Sequence, residues 1–181
     1  MPKQITIQGG EIYIPATNEF VQVPTTTLLL EHSLVSLSNW EFKWEEPFIS
    51  DKEHTPEQML DYIKFMTLTK HVDPNVYLML TPENVEEIRA YIEKKGHANT
   101  FRRQDEHKRK KEFTTAETIY YGMFAQGIPK ECEKWHLNKL LALIEFMTIK
   151  NNPGKKMSKK DLYKRHSSIN KANRKRYHSK G

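Results

Sequence analysis

The sequence predicts a mainly α fold: a helical domain with a small N-terminal β-hairpin and a basic C-terminal helical tail. Three observations lead there. Lys130–Lys150, KECEKWHLNKLLALIEFMTIK, spreads Trp135, Leu137, Leu140, Leu141, Leu143, Ile144, Phe146, Met147 and Ile149 over more than half of a helical wheel. That arc is wider than the stripe of a surface helix, so a helix here is buried on several sides. Thr55-Pro56, Thr81-Pro82 and Thr114-Thr115 each stand where a helix should begin, with a capping hydroxyl ahead of the apolar run. Residues 4–30 instead hold short β-rich runs separated by Gly9-Gly10 and Pro15-Ala16-Thr17-Asn18, both turn signals.

The predicted organisation is an arm at 1–30, a helical domain at 31–152 and a tail at 153–181. Ile5, Ile7, Ile12, Ile14, Phe20, Val21 and Val23 mark the hairpin. Two strands alone are marginal in water, so the hairpin should pack on the helices or add a strand to a neighbouring subunit. Glu31–Glu46 reads as a helix capped by Ser33 and closed by Pro47, with Leu34, Leu37, Trp40 and Trp44 at three- and four-residue spacing. Trp40 and Trp44 share a face, as core anchors or as partner contacts. Thr55 and Gln58 form a capping box for a helix running to about Lys70. Asp73-Pro74 opens a short turn of helix. Thr81 starts another that ends at Gly96, and its narrow face of Val85, Ile88, Tyr91 and Ile92 assigns it to the surface. Residues 96–113 are polar and mixed in charge, which reads as a flexible loop. Thr114 with Glu117 is the next capping box. The tight Gln126–Pro129 connection then predicts an antiparallel pairing with the Lys130–Lys150 helix. Pro129 fits the first turn of that helix, and Asn151-Asn152-Pro153-Gly154 stops it.

Charge is segregated. Residues 150–181 carry 12 Lys/Arg against Asp161 alone, a net of +11, whereas residues 1–149 carry 17 against 22 Asp/Glu, a net of −5. The basic tail is built from Lys155, Lys156, Lys159, Lys160, Lys164, Arg165, Lys171, Arg174, Lys175 and Arg176. With few bulky apolar groups it reads as a conditional helix, ordered by an acidic partner or by the phosphates of a nucleic acid. The lone Cys132 excludes an intramolecular disulfide framework and reads as a small core residue. No signal peptide and no membrane-length apolar run is evident, so the expectation is a soluble, cytoplasmic protein without membrane contact.

Catalytic signals are absent from the sequence. Lys156-Met157-Ser158-Lys159 matches a short string of class I aminoacyl-tRNA synthetases, but the alternating βαβ pattern that would accompany it is missing. The histidines are scattered singly, with no metal-ligating spacing, and His136 reads as a packed histidine. Adjacent acids such as Glu45-Glu46 and Glu86-Glu87 do not face one another on a helix and read as solvated. No phosphate loop or nucleophile elbow occurs. The residues therefore predict a binding protein with no metal or cofactor rather than an enzyme.

Three segments carry a family resemblance: LEHSLVSLSNWEFKWEEPF at Leu30–Phe48, DYIKFMTLTKHVDPNVYLMLTPENVEEIRAYI at Asp61–Ile92, and TTAETIYYGMFAQGIPKECEKWHLNKLLALI at Thr114–Ile144, followed by a basic tail beginning KKMSKKDL. Together they resemble the tail assembly chaperones of long-tailed bacteriophages (siphoviruses). The resemblance implies action in the cytoplasm of the infected host during tail morphogenesis. Such chaperones bind the tape-measure protein, a very long helical chain, and keep it soluble until tail-tube subunits polymerise around it. On that reading a groove lined by Trp40, Trp44, Trp135, Leu140 and Ile144 covers the partner, with the tail adding charge attraction. The competing expectation is a minor virion structural or nucleic-acid-associated protein that uses the basic tail. A third is self-association through the N-terminal strands.

Overall fold

The computed structural model describes residues 2–15, 18–98, 114–151 and 159–177. The fold is mainly α with an N-terminal β region. Two compact units divide the chain, Met1–Phe146 and Met147–Gly181. The N-terminal strands belong to the first unit together with the helices.

Strands β1 (Lys3–Ile7), β2 (Gly10–Ile14), β3 (Glu19–Val23) and β4 (Thr26–Leu30) form two nested antiparallel pairs, β2 with β3 inside β1 with β4. Both ladders keep one register, Lys3 opposite Leu30 and Ile14 opposite Glu19, so the region is a single ribbon interrupted midway. Gly9 explains the interruption. A Cβ there would lie 2.3 Å from the Val23 carbonyl oxygen and 2.4 Å from the Thr25 nitrogen. Only glycine lets the two backbones approach this closely, and the Gly9 N–H is taken by the Thr25 hydroxyl at 3.0 Å. Ile5, Ile7, Leu28 and Leu30 alternate onto the buried face, while Thr6 and Thr27 pair hydroxyls on the other.

Helix α1 (Leu34–Trp44) starts on Ser33, whose hydroxyl accepts the Ser36 N–H, and stops at Glu45 in the left-handed conformation. Helix α2 (Pro56–Met66) has the capping box expected of Thr55 and Gln58. It ends at Met66 rather than Lys70 because the chain turns extended to meet β4: Thr67 bridges Leu30, and the Leu68 N–H donates to the Leu29 carbonyl at 2.7 Å. A 3-10 turn at Pro74–Met79 and helix α3 (Pro82–Ile92) follow, the latter with a capping box between Thr81 and Asn84. Only Ile88 and Tyr91 of α3 are buried, as its narrow apolar face implies. It stops before Gly96, and the Asn138 amide donates to the carbonyl of its last residue, Ile92, and to that of Lys94 just beyond it. The loop expected over 96–113 lies mostly outside the described residues.

Helix α4 (Ala116–Ala125) is capped by Thr115, not Thr114, because Thr114 is drawn into a bridge with Ile49. Glu117 therefore sits one position too early to close a box. The Lys130–Lys150 stretch is not one helix. Lys130–Lys134 is a 3-10 turn, Trp135 is extended, and α5 runs from Leu137 to Asn151. The break has a cause in long-range pairing: His136 bridges Ser33, and the Leu137 N–H donates to the His32 carbonyl at 2.7 Å. The second unit takes in the end of α5 and helix α6 (Lys159–Tyr177).

Among the described residues, two apolar clusters fill the first unit. One joins the ribbon, α2, α3 and Trp40; the other joins α4, α5, Ile128 and Cys132 to Leu34 and Leu37. Helix α1 thus faces both, and Phe48 packs against each. Glu41 fixes α1 to α4: its carboxylate accepts the Phe48 N–H at 3.0 Å and the Ala116 N–H at 2.7 Å. Burial pushes the Glu41 carboxyl up, against the pull of those two donors.

Two substitutions test these joints. Gly9→Ala drives a methyl into backbone and should cost about 1–3 kcal/mol, whereas Gly10→Ala meets only the movable Met79 methyl at 3.1 Å and should be milder by urea denaturation. Glu41→Ala strands the buried Ala116 N–H and the half-buried Phe48 N–H and should cost about 2–4 kcal/mol in the same assay.

Candidate partner-binding surface

The five residues expected to line a groove do not come together. Trp40 is wholly buried in the first cluster, its indole N–H donating to the Gln58 carbonyl at 2.8 Å. Trp44 is half-buried beside it, 6.3 Å between ring centroids. Leu140 is wholly buried in the second cluster. These are core positions: the spacing that made Trp40 and Leu140 prominent in sequence is the spacing of residues facing inward. Ile144 is half-buried, packed against the second cluster and within van der Waals reach of a side chain placed at Gly122. Trp135 alone of the tryptophans is substantially open, 37% exposed, with the Lys139 ammonium 3.8 Å from its ring centroid. That contact covers one face of the indole with a cation.

A different set of apolar groups faces outward. On α4, Tyr121 is 75% exposed and Phe124 56%. Standing three residues apart, they are neighbours on the helix surface. Tyr120 stacks on Phe124 at 6.1 Å between centroids. The Tyr120 hydroxyl donates to Glu133 at 3.1 Å. Partial burial and that carboxylate push the Tyr120 phenol up to about 12, so it stays a neutral donor at ordinary pH. The opposite side of α4 is locked into the second cluster through Ala116, Ile119 and Met123. The helix therefore presents a rigid aromatic strip, the type of group that dominates protein contacts. Helical spacing groups Ile119, Tyr120, Met123 and Phe124 as the apolar side of α4, and it does not tell which of them, or Tyr121, ends facing solvent.

Between the two clusters lies a buried polar seam that sequence reasoning also missed. His32 Nδ1 and the Tyr62 hydroxyl are 2.6 Å apart. The His32 ring meets the His136 ring edge-on at 5.2 Å between centroids. The His136 Nε2–H donates to the Tyr91 carbonyl at 3.0 Å, and the Tyr91 hydroxyl donates to Glu31 at 2.6 Å. All five side chains are buried. Burial, followed by the nearby His136, lowers His32 to about 3. Burial, then the Glu41 and Tyr91 charges, pushes Tyr62 well up. Burial and the Glu31 carboxylate raise Tyr91. The seam is thus a run of hydrogen-bonding side chains closed to solvent, drawn from the end of β4, α2, α3 and the start of α5. His136 was read as a packed histidine, but nothing in its local sequence pointed to a partner 104 positions away.

On α6 the structure places Lys159, Lys160, Lys164, Arg165, Lys171, Arg174, Lys175 and Arg176 along one helix, while Lys155 and Lys156 lie outside the described residues. Among the described residues, no three His, Cys, Asp or Glu side chains meet as a metal site, and no helix is long and apolar enough to cross a membrane. A scan of protein-family models and searches of curated proteins and of solved structures return no match.

The seam has a measurable consequence. Because the folded His32 stays neutral down to about pH 3 while the unfolded imidazole protonates near 6.5, stability is complete above about pH 6.5 and is lost progressively below it. At about pH 4.5 the loss from this residue is on the order of 2–3 kcal/mol. His32→Gln, which cannot be protonated, should lose that much less stability than the parent between about pH 7 and 4.5 by urea denaturation.

Proposed function

We propose that this protein is a non-catalytic assembly chaperone of the siphovirus tail type, acting in the infected bacterial cytoplasm. It holds a long helical polypeptide of the tape-measure kind in a soluble state until tail-tube subunits enclose it. The observation that carries the reading is the aromatic strip on α4, where Tyr121 and Phe124 face solvent above a locked underside. A long helix with apolar stripes aggregates unless those stripes are covered, and a rigid helix bearing outward aromatics can lie against such a stripe at little entropic cost. The three resembling segments give the reading its particular partner. Trp135 and the half-buried Trp44 and Ile144 remain contact candidates; Leu140 acts through the cluster that holds α4 and α5 in place, and Trp40 through the cluster of the ribbon, α2 and α3.

Co-expression with the tape-measure protein of the same genome tests this. The parent chain should keep that protein in the soluble fraction and co-purify with it. Tyr121→Ser with Phe124→Ser should weaken the complex by about thirtyfold, the effect of removing contacts worth roughly 2 kcal/mol, with helical circular dichroism unchanged. Retention of full affinity by that double variant, or no complex with the parent, would sink the reading.

A further inference from the structure

We propose that α6 is a contact element for the phosphate backbone of duplex nucleic acid, binding without reading base sequence. The inference is independent of the chaperone reading. Lys159–Tyr177 holds eight Lys/Arg and one acid, Asp161, within a single 19-residue helix. A helix of that length spans about 28 Å. Duplex DNA presents a phosphate about every 1.7 Å along its axis, so the helix can run beside roughly 16 of them.

Three features favour a phosphate lattice over an acidic protein groove. A helix bound in a protein groove is gripped by apolar anchors recurring each turn. Here Leu162 and Ile169 are the only bulky aliphatic residues in α6 and stand seven positions apart, so attraction must come from charge. Second, the polar residues between the cations are short hydrogen-bonding side chains, Ser167, Ser168, Asn170 and Asn173, all exposed. Hydroxyl and amide side chains of this size are regular phosphate ligands. Third, Tyr163 is 77% exposed, and a phenol ring beside a basic helix can lie against sugar or base.

The helix also needs counter-charge. Lys160 and Lys164 stand one turn apart, as do Lys171 and Lys175, and each such like-charged pair costs a helix roughly 0.2–0.5 kcal/mol. A polyanion removes that repulsion, so binding and helix content should rise together. With residues 1–149 at a net −5, the remainder of the chain has little attraction of its own for DNA. Binding should therefore depend on α6.

The test is fluorescence anisotropy of the full chain with a labelled duplex of about 20 base pairs, from about 50 to 200 mM KCl. The expected log–log salt slope lies between about −4 and −7, the range for roughly five to eight phosphates neutralised. Lys171→Glu, Arg174→Glu and Lys175→Glu together should weaken binding at least about tenfold at about 100 mM KCl and flatten the slope. The charge-preserving set Lys171→Arg, Arg174→Lys and Lys175→Arg should bind as the parent does. Helical circular dichroism should increase on adding DNA. Failure to bind at about 50 mM KCl would overturn the proposal. So would parent-like affinity in the reversed triple, which would put the contact elsewhere. Tighter binding to polyglutamate than to DNA would also overturn it and assign α6 to an acidic protein.

Discussion

The first unit depends on how the chain crosses itself at His32 and His136. A main-chain bond from the Leu137 N–H to the His32 carbonyl, together with the bridge of Ser33 to His136, joins the segment leaving β4 to the segment entering α5. Around it two histidines, two tyrosines and Glu31 are closed off from water. Burying five polar side chains between apolar layers is unfavourable unless each finds a partner. Here the partners come from four separate places: the end of β4, α2, α3 and the start of α5. Loss of any one removes a hydrogen-bond partner from another, so these elements depend on one another. The desolvation that holds His32 neutral is the same constraint seen through its titration.

That crossing explains why α1 serves two clusters. Ser33 bridges His136, and Ser36 donates to the Glu31 carbonyl, which fixes the start and rotation of the helix. Leu34 and Leu37 then face α4 and α5, and Trp40 faces the ribbon, α2 and α3. A fully buried tryptophan is worth about 3–5 kcal/mol against alanine. Its indole N–H reaches the Gln58 carbonyl while Gln58 itself closes the α2 capping box. One residue type thus ties packing, a hydrogen bond and a helix start into the same corner.

What was legible in the sequence was local. The capping box at Thr55, the helix start at Thr81, the cap at Ser33 and the β character of residues 4–30 all rest on neighbours within a few positions, where side-chain chemistry and backbone compete directly. What was not legible is long-range. Thr114 lost its cap to Ile49, α2 gave its last turn to β4, and the Lys130–Lys150 run broke at Trp135 because His136 is held by Ser33. Glu31, Glu41 and Asp61 look like ordinary surface acids until the structure supplies Tyr91, two backbone N–H groups and a lysine pair. For Asp61, burial opposes ionisation, but Lys43 and Lys64 outweigh it and hold the carboxyl below its ordinary range. Such a buried charge is visible only once its partners are placed.

The same division governs the surface. Helical spacing identifies an apolar face but not which way it points, so Trp40 and Leu140 were natural contact candidates and Tyr121 was not. Orientation is decided by whichever side of each helix is already committed. On α4 the committed side is Ala116, Ile119 and Met123, with Glu41 holding the first turn from below. An aromatic on the remaining side cannot be accommodated inward without displacing a packed residue, because interiors of this density have no spare volume. Tyr121 and Phe124 are therefore held outward by the core itself. Their exposure is a property of the whole assembly of helices rather than of α4, and it traces back to the crossing of His32 and His136 that sets where α4 and α5 pack.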